Sequence, residues 1–283
     1  MSLKLMYITN NPVVAKAAEL SDIDWIFIDL EYLGKEQRQA NMDTVKSRHS
    51  VSDIKLVKAC LEKSRLLVRI NPINANSEKE INDSINAGAD ILMLPYFKGY
   101  MDVKIFLDFV NSRVKTCLLL ETPEAVEDIN EIISDQRINF IHIGLNDLHL
   151  GYKLMFMFEL LSNGTVDRII KEISKTNIIY GFGGIAGLGE GDLPAEHIIT
   201  EHYRLKSEMA ILSRSFYKQT GLENDIQSVF DILDPKVKEI RAYEKSLKFK
   251  ESGFFVENRK MLDTKVNKIK QGKIRIWNLT IKQ

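Results

Sequence analysis

Short apolar runs, rich in β-branched residues, alternate with longer segments of helical periodicity along most of the chain. This alternation is typical of βα units built around a parallel sheet. Helices are predicted over residues 51–63, 77–87, 101–112, 123–134 and 166–175. Strands are predicted over residues 3–9, 25–31, 66–71, 91–95, 116–121, 140–144, 178–182 and 209–213. Eight strands of one type predict an α/β fold, a closed TIM (β/α)8 barrel, with a doubly wound open sheet as the alternative.

The C-terminal segment differs from the rest of the chain in charge. The whole sequence contains 39 basic and 39 acidic residues, which argues against a surface built to hold nucleic acid. From residue 235 onward there are fourteen Lys and Arg against five Asp and Glu. We therefore predict a catalytic barrel over residues 1–234 and a helical, basic C-terminal extension over residues 235–283. The extension is expected to pack on the barrel or on a neighbouring subunit of a homo-oligomer.

The sequence contains neither a predicted membrane span nor an export signal. No apolar run approaches the roughly 18 to 20 residues that cross a bilayer, and the first residues lack the pattern of a signal peptide. A cytoplasmic protein without membrane association is therefore predicted. Cys60 and Cys117 lie within apolar stretches, which predicts small buried side chains rather than metal ligands.

Polar residues that end the predicted strands are the candidates for chemistry, because the active sites of such barrels lie at the carboxyl ends of the strands. Glu121 ends strand five and Asp147 follows strand six, while Glu31 ends strand two. Carboxylates on adjacent strand ends suit a hard cation such as Mg²⁺ or Mn²⁺. Arg69, at the end of strand three, would bind a substrate carboxylate through paired hydrogen bonds. From spacing alone, the alternative is that Glu121 and Asp147 cap the helices that follow them.

Five stretches of sequence around these residues share the motifs and the order of a known family. They are DWIFIDLE (24–31), VRINP (68–72), INAGADILMLPY (85–96), LLLETPEAVEDINEII (118–133) and FIHIGLNDLHLG (140–151). The sequence resembles the HpcH/HpaI aldolase and citrate lyase β-subunit family of the phosphoenolpyruvate/pyruvate superfamily. The resemblance implies a barrel in which Glu121 and Asp147 hold Mg²⁺ or Mn²⁺ and a 2-oxo acid or acyl thioester binds to that metal. It also implies that Arg69 holds the substrate and stabilises an enolate oxygen, and that the last barrel helix packs on a neighbouring subunit.

The sequence departs from the family pattern at two positions of the expected site. Family aldolases carry an acid–base histidine after the glutamate of strand two, where this chain has Tyr32, and the citrate lyase branch carries an acidic residue there. Leu119 stands where the family tends to have glutamine. The general base is therefore predicted to be Glu31 or His49, the latter in the long connection after strand two. A solvated loop histidine is the alternative for His49.

A basic pair and a glycine-rich run are candidates for binding a second group of the substrate. Lys35 and Arg38 lie in the long connection after strand two and would pair with a phosphate or a second carboxylate. The run GFGGIAGLGEGD (181–192) follows strand seven, where barrels often build phosphate sites from backbone N–H groups. Gly183 and Gly184 in this run, with Ser213 at the end of strand eight, predict a phosphorylated or sugar-derived substrate. The alternatives are a solvated basic pair and a glycine-rich lid or turn.

The sequence as a whole predicts a metal-dependent carbon–carbon lyase or aldolase that acts through a pyruvate-like enolate. A phosphosugar isomerase or synthase barrel is one alternative, and it would use the glycine-rich run with Glu121 and Asp147 only as acid–base residues. A catalytically silent barrel that binds a metabolite or a protein partner is the other, and the departure at Tyr32 is the reason for it. Metal-independent turnover would favour the first alternative, and a lack of metal and oxo-acid binding would favour the second.

Overall fold

The computed structural model describes residues 2–34, 49–213, 216–217 and 225–280, with side chains described up to residue 274. Within these ranges eight parallel strands close into a barrel in sequential order, and β8 pairs with β1. The predicted TIM barrel is confirmed, and the open-sheet alternative is wrong. The strands are β1 Lys4–Ile8, β2 Trp25–Asp29, β3 Arg65–Arg69, β4 Ile91–Leu94, β5 Lys115–Leu120, β6 Phe140–Ile143, β7 Ile179–Ile185 and β8 Met209–Leu212.

Helices surround the barrel, and most of them occupy the predicted segments. The predicted helix over residues 123–134 is divided in two at Asp128, whose carboxylate accepts the backbone N–H of Tyr100 at 2.6 Å. None of the helices in the described ranges has an apolar stretch long enough to cross a membrane. The described helices are α1 Pro12–Leu20, α2 Val51–Cys60, α3 Ser77–Ala87, α4 Tyr100–Val110, α5 Pro123–Glu127, α6 Ile129–Ile132, α7 Leu145–Gly151, α8 Glu159–Ser162, α9 Thr165–Ile173, α10 Ala195–Arg204, α11 Ile226–Leu247 and α12 Ser252–Thr280.

The alternation of side chains along each strand separates two apolar clusters. The outward faces pack against the helices and form the larger cluster. Two residues beyond Phe27, Leu67 and Leu119, the inward positions become charged, because Asp29, Arg69 and Glu121 occupy them. An apolar filling therefore supports a charged mouth at the carboxyl ends of the strands. The inward cluster consists of Met6, Trp25, Phe27, Leu67, Ile91, Met93, Cys117, Leu119, Phe140 and Met209.

The C-terminal helix α12 contacts helices of its own barrel. Arg259 Nη1 lies 3.2 Å from a carboxylate oxygen of Glu201 in α10, and Lys270 Nζ lies 2.6 Å from Glu159 in α8. Basic residues of the extension thus pair with acidic residues of the barrel helices. The predicted boundary after residue 234 lies within α11, a continuous helix that packs against α1. The division into two domains stays a prediction.

A buried carboxylate fixes the turn that leads into β3. Glu19, near the end of α1, accepts the backbone N–H groups of Glu62, Lys63 and Ser64 on Oε1 at 2.7–2.9 Å. Its other oxygen lies 2.8 Å from Lys16 Nζ. Burial alone would raise the pKa of Glu19, but the Lys16 ammonium and the three N–H donors outweigh burial and lower this pKa to about 2. The ionised carboxylate therefore ties α1 to the turn after α2.

Glu19→Gln is expected to lower the free energy of unfolding by about 2 kcal/mol near neutral pH, because hydrogen bonds to a charged acceptor become neutral ones. The folded-state pKa lies below the ordinary value of 4.5, so the stabilisation is complete above pH 4.5 and is lost as the pH falls towards 2. The difference between wild type and variant in urea unfolding should therefore shrink from about pH 6 to about pH 3. A constant difference over this range would contradict the assignment. Glu62→Gln, which changes an exposed partner of the same lysine, is the control.

Candidate active site

The mouth of the barrel is organised around Arg69, the last residue of β3. The parallel register pairs it with Asp29, the last residue of β2. Arg69 donates from Nε to Asp29 Oδ1 at 2.9 Å and from Nη2 to Asp29 Oδ2 at 2.8 Å. A second carboxylate, that of Glu31, lies 3.4 Å from Nη2. The bidentate pair with Asp29 fixes the plane of the guanidinium.

Arg69 keeps its charge although its side chain is largely buried. Desolvation opposes the charge, but the carboxylates of Asp29, Glu31 and, more weakly, Glu121 outweigh it and raise the pKa of Arg69. The guanidinium carbon also lies 5.5 Å from the centre of the Phe27 ring. The contribution of Glu121 places this predicted metal ligand within electrostatic reach of the predicted substrate-binding arginine.

Glu121 and Asp147 line one cavity of about 410 Å³ at the carboxyl ends of β4, β5 and β6. Glu121 is buried, and its Oε1 accepts the backbone N–H of Tyr96 at 3.0 Å. Gly144 permits this close packing, since a Cβ there would lie 2.8 Å from Glu121 Oε2. Asp147 Oδ1 is buried and has no hydrogen-bond partner among the described residues. The structure therefore brings the two predicted metal ligands to the same cavity.

Helix capping does not account for these two acids. Thr122, and not Glu121, caps α5, because its Oγ1 accepts the N–H of Ala125. Helix α7 starts after Gly144, which has no side chain to act as a cap. Asp147 lies in the first turn of α7, where the positive end of the helix favours a negative charge. Its buried oxygen is nevertheless left without a donor in the part of the chain that the structure describes.

The cavity fits a divalent cation that prefers oxygen ligands. Among the described residues, no three His, Cys, Asp or Glu side chains converge as a complete metal cage. Mg²⁺ does not require such a cage, because it is usually held by one or two carboxylates and keeps water and substrate as its other ligands. A buried carboxylate oxygen without a donor calls for a partner of this kind. Glu121 and Asp147 are the residues that would hold the ion.

His49 reaches the mouth from the end of the long connection after β2. Its Nδ1 accepts the backbone N–H of Asp29 at 3.0 Å. A backbone N–H only donates, so Nδ1 carries no proton in this contact and the neutral ring has its proton on Nε2. In this tautomer Nε2 is a hydrogen-bond donor, and the role of His49 as general base stays a prediction.

Gly183 and Gly184 lie within β7, which extends to Ile185 rather than ending at residue 182. The predicted loop position of these glycines is therefore wrong. Gly183 has a φ of +56°, and a Cβ there would lie 2.8 Å from Leu145 Cδ1, so both backbone and packing require glycine. Its carbonyl accepts a hydrogen bond from His142 Nε2 at 3.0 Å, and burial lowers the pKa of this histidine to about 4. A role of the two glycines in substrate binding stays a prediction.

The remaining candidates for substrate binding are not tested by the geometry. Lys35 and Arg38 lie outside the described residues. Ser213 follows β8, and its N–H donates to the carbonyl of Ile185 at 2.8 Å. Further along the glycine-rich run, the N–H of Gly189 donates to Glu196 Oε1 at 2.9 Å. This N–H is one of the donors that a phosphate site in the run would use, and here it is already bonded to a carboxylate.

Sequence reasoning finds Asp29 only as one of the polar residues at the end of strand two, without a role, and does not identify Tyr96. The signal for Asp29 lies in the strand period, because it follows the inward Phe27 by two residues and ends the strand next to that of Arg69. Tyr96 contributes only a backbone N–H and has a positive φ of 47°. A contact made by a backbone N–H cannot be predicted from the pattern of side chains.

By its fold and its site, the chain belongs to the class of closed (β/α)8 barrels, with two acids and a buried arginine at the mouth. A sequence model of the HpcH/HpaI aldolase/citrate lyase family matches residues 4–155, more than half of the chain. The chain belongs to this family, which confirms the resemblance found in the sequence. Membership indicates a lyase-type function within the phosphoenolpyruvate/pyruvate superfamily. A comparison with curated proteins gives no match.

Solved structures share the fold at low sequence identity. An HpcH/HpaI aldolase from Desulfitobacterium hafniense DCB-2 has a TM-score of 0.56 at 13% identity, over 75% of this chain and 86% of that one. A citrate lyase from Burkholderia xenovorans LB400 has a TM-score of 0.54 at 15% identity, over 87% and 82% of the two chains. The citrate synthase SbnG has a TM-score of 0.56 at 14% identity, over 75% and 85%. Similarities at this level of identity show the fold alone.

Proposed function

We propose that this chain is a divalent-metal-dependent carbon–carbon lyase or aldolase that acts through the pyruvate-like enolate of a 2-oxo acid or acyl thioester. The observation that carries the proposal is Oδ1 of Asp147, which is buried and has no hydrogen-bond partner among the described residues. This oxygen belongs to a residue of the cavity that Glu121 also lines. The family generally depends on a divalent metal. Arg69 keeps a positive charge within reach of Glu121. A bound cation and a guanidinium together suit a substrate on which negative charge develops at oxygen.

In this proposal each side chain of the mouth has a separate task. Glu121 and Asp147 would hold Mg²⁺ or Mn²⁺, which would supply Lewis acidity. Arg69, oriented by Asp29, binds the substrate carboxylate and stabilises the enolate oxygen. In the cleavage direction Glu31 accepts the proton of the substrate hydroxyl, the carbon–carbon bond breaks, and its electron pair stays with the enolate while the hydroxyl oxygen becomes an aldehyde carbonyl. His49 donates a hydrogen bond from Nε2 to the enolate oxygen, on which negative charge develops.

Several expectations from the sequence stay predictions. They are the cytoplasmic location, the homo-oligomeric state, and a phosphorylated or sugar-derived substrate. The silent-barrel alternative depends on Tyr32, whose side chain stands at the position of the family histidine and is 66% exposed. A tyrosine so open to solvent is poorly placed for proton transfer at the mouth, which is why the proposal assigns proton transfer to Glu31 and His49.

Titration calorimetry with Mn²⁺ or Mg²⁺ and then with oxalate, a mimic of the enolate, tests the proposed function. We expect the metal to bind first and oxalate to bind only in its presence, because the acid pair alone repels an anion. Glu121→Gln should weaken binding of the metal and of oxalate together. Binding of neither metal nor oxalate to the wild type would favour the silent barrel. Turnover that does not require metal would favour the isomerase or synthase barrel.

A further inference from the structure

Three consecutive backbone N–H groups after β2 are each bound by a buried side chain. The N–H of Glu31 donates to Asp29 Oδ1 at 3.2 Å. The N–H groups of Tyr32 and Leu33 both donate to Oδ1 of Asn71, each at 3.0 Å. Within the described ranges no neighbouring strand pairs with these three N–H groups, and side chains supply the acceptors instead. These bonds therefore fix the path of the chain at the point where it carries Glu31 to the mouth.

Glu80, in α3, determines which way the amide of Asn71 faces. Asn71 is 2% exposed, and its Nδ2 lies 3.2 Å from both carboxylate oxygens of Glu80. A carboxylate accepts hydrogen bonds, whereas the N–H groups of Tyr32 and Leu33 donate them. The amide therefore has one favourable orientation, with Oδ1 towards the segment after β2 and Nδ2 towards α3.

The end of β3 thus acts on the neighbouring strand through two residues. Arg69 pairs with the side chains of Asp29 and Glu31, and Asn71, two residues further on, holds the backbone that follows Glu31. We propose that Asn71, oriented by Glu80, is a positioning residue that holds Glu31 against Arg69. Its effect on ligand binding rests on the proposed function, whereas its effect on the backbone does not.

Asn71→Leu tests this role, because leucine keeps the approximate shape of the side chain and removes the acceptor. Amide hydrogen exchange of Tyr32 and Leu33, followed by NMR, should become at least about tenfold faster. Affinity for oxalate in the presence of Mn²⁺ should fall by roughly tenfold, because Glu31 is no longer held against Arg69 and the mouth is less well organised to receive the anion. Asn76→Leu is the matched control, since Asn76 is exposed at the start of α3 and makes no side-chain cap bond. It should change neither quantity.

A reversed pair provides a second test should Asn71→Leu fail to fold. Asn71→Asp places an oxygen against the Glu80 carboxylate and should weaken oxalate binding, whereas Glu80→Gln supplies an amide that donates to that oxygen. The double variant should return the oxalate affinity to within about threefold of the wild type.

Two outcomes would overturn the positioning role. One is a double variant no better than Asn71→Asp, and the other is a loss of thermal stability in Asn71→Leu with wild-type exchange rates and oxalate affinity. If the wild-type protein itself binds no oxalate, the proposed function fails on its own. The exchange rates then decide about Asn71, since faster exchange supports its hold on the backbone and unchanged exchange overturns it.

Discussion

Asp147→Asn is expected to abolish Mn²⁺ binding without destabilising the metal-free protein. Oδ1 of Asp147 is buried without a donor among the described residues, so the substitution removes no hydrogen bond that stabilises the metal-free protein. Loss of a direct ligand should weaken Mn²⁺ binding by more than the roughly 10- to 100-fold that an outer hydrogen-bond partner contributes. Calorimetry measures the affinity. In thermal unfolding the variant should have a metal-free Tm at least equal to that of the wild type, and Mn²⁺ should raise only the wild-type Tm.

Glu124→Gln is the matched control for this prediction. Glu124 lines the same cavity, but its side chain is 54% exposed and its carboxylate lies 3.4 Å from Lys98 Nζ. Neutralising this exposed acid should change the Mn²⁺ affinity by no more than about threefold. Equal losses in the two variants would mean that the negative potential of the cavity, rather than coordination by Asp147, attracts the ion. Unchanged affinity in Asp147→Asn would remove the basis of the metal site.

Arg69→Met is expected to impair both stability and turnover. Asp29 and Glu31 are buried and would lose their cation, and breaking a buried ion pair from one side costs roughly 3–5 kcal/mol. Turnover should fall by roughly 10²- to 10³-fold, because the developing enolate loses a pre-oriented donor. Urea unfolding measures the first effect, and kcat/KM for a 2-oxo acid substrate measures the second.

Two further substitutions separate charge from geometry in this prediction. Arg69→Lys keeps the positive charge but cannot form the bidentate pair, so it should recover stability more than turnover. Arg65→Met changes the exposed arginine at the other end of β3 and should leave both quantities near wild type. An Arg69→Met protein as stable and active as the wild type would contradict the assigned role of the pair with Asp29.

The strands could be predicted because a parallel strand that is covered on both faces is apolar along most of its length. The runs that form β4 and β6 are apolar on both faces apart from His142, as expected for strands covered by helices. The prediction failed at the end of β7 for a local reason. Gly181, Gly183 and Gly184 lack the side chains by which a strand is recognised, while pairing with β8 continues the strand to Ile185.

The candidate site could be predicted only in part. Glu121 and Asp147 could be predicted from the sequence because barrel topology places every residue that ends a strand at the same mouth. The bidentate bond between Asp29 and Arg69 was not, since it depends on the relative orientation of two side chains from different βα units. The preference of His49 for one tautomer depends likewise on a backbone group far away in the sequence.

The sequence by itself determined the barrel and the residues that stand at its mouth, because the period of burial and the order of strands are local properties of the chain. Only the tertiary structure decided the partners at that mouth. It pairs Arg69 with Asp29 and leaves an oxygen of Asp147 without a donor among the described residues. The physical reason is that hydrogen bonds depend on a few tenths of an ångström, and barrel closure sets those distances between residues far apart in the sequence.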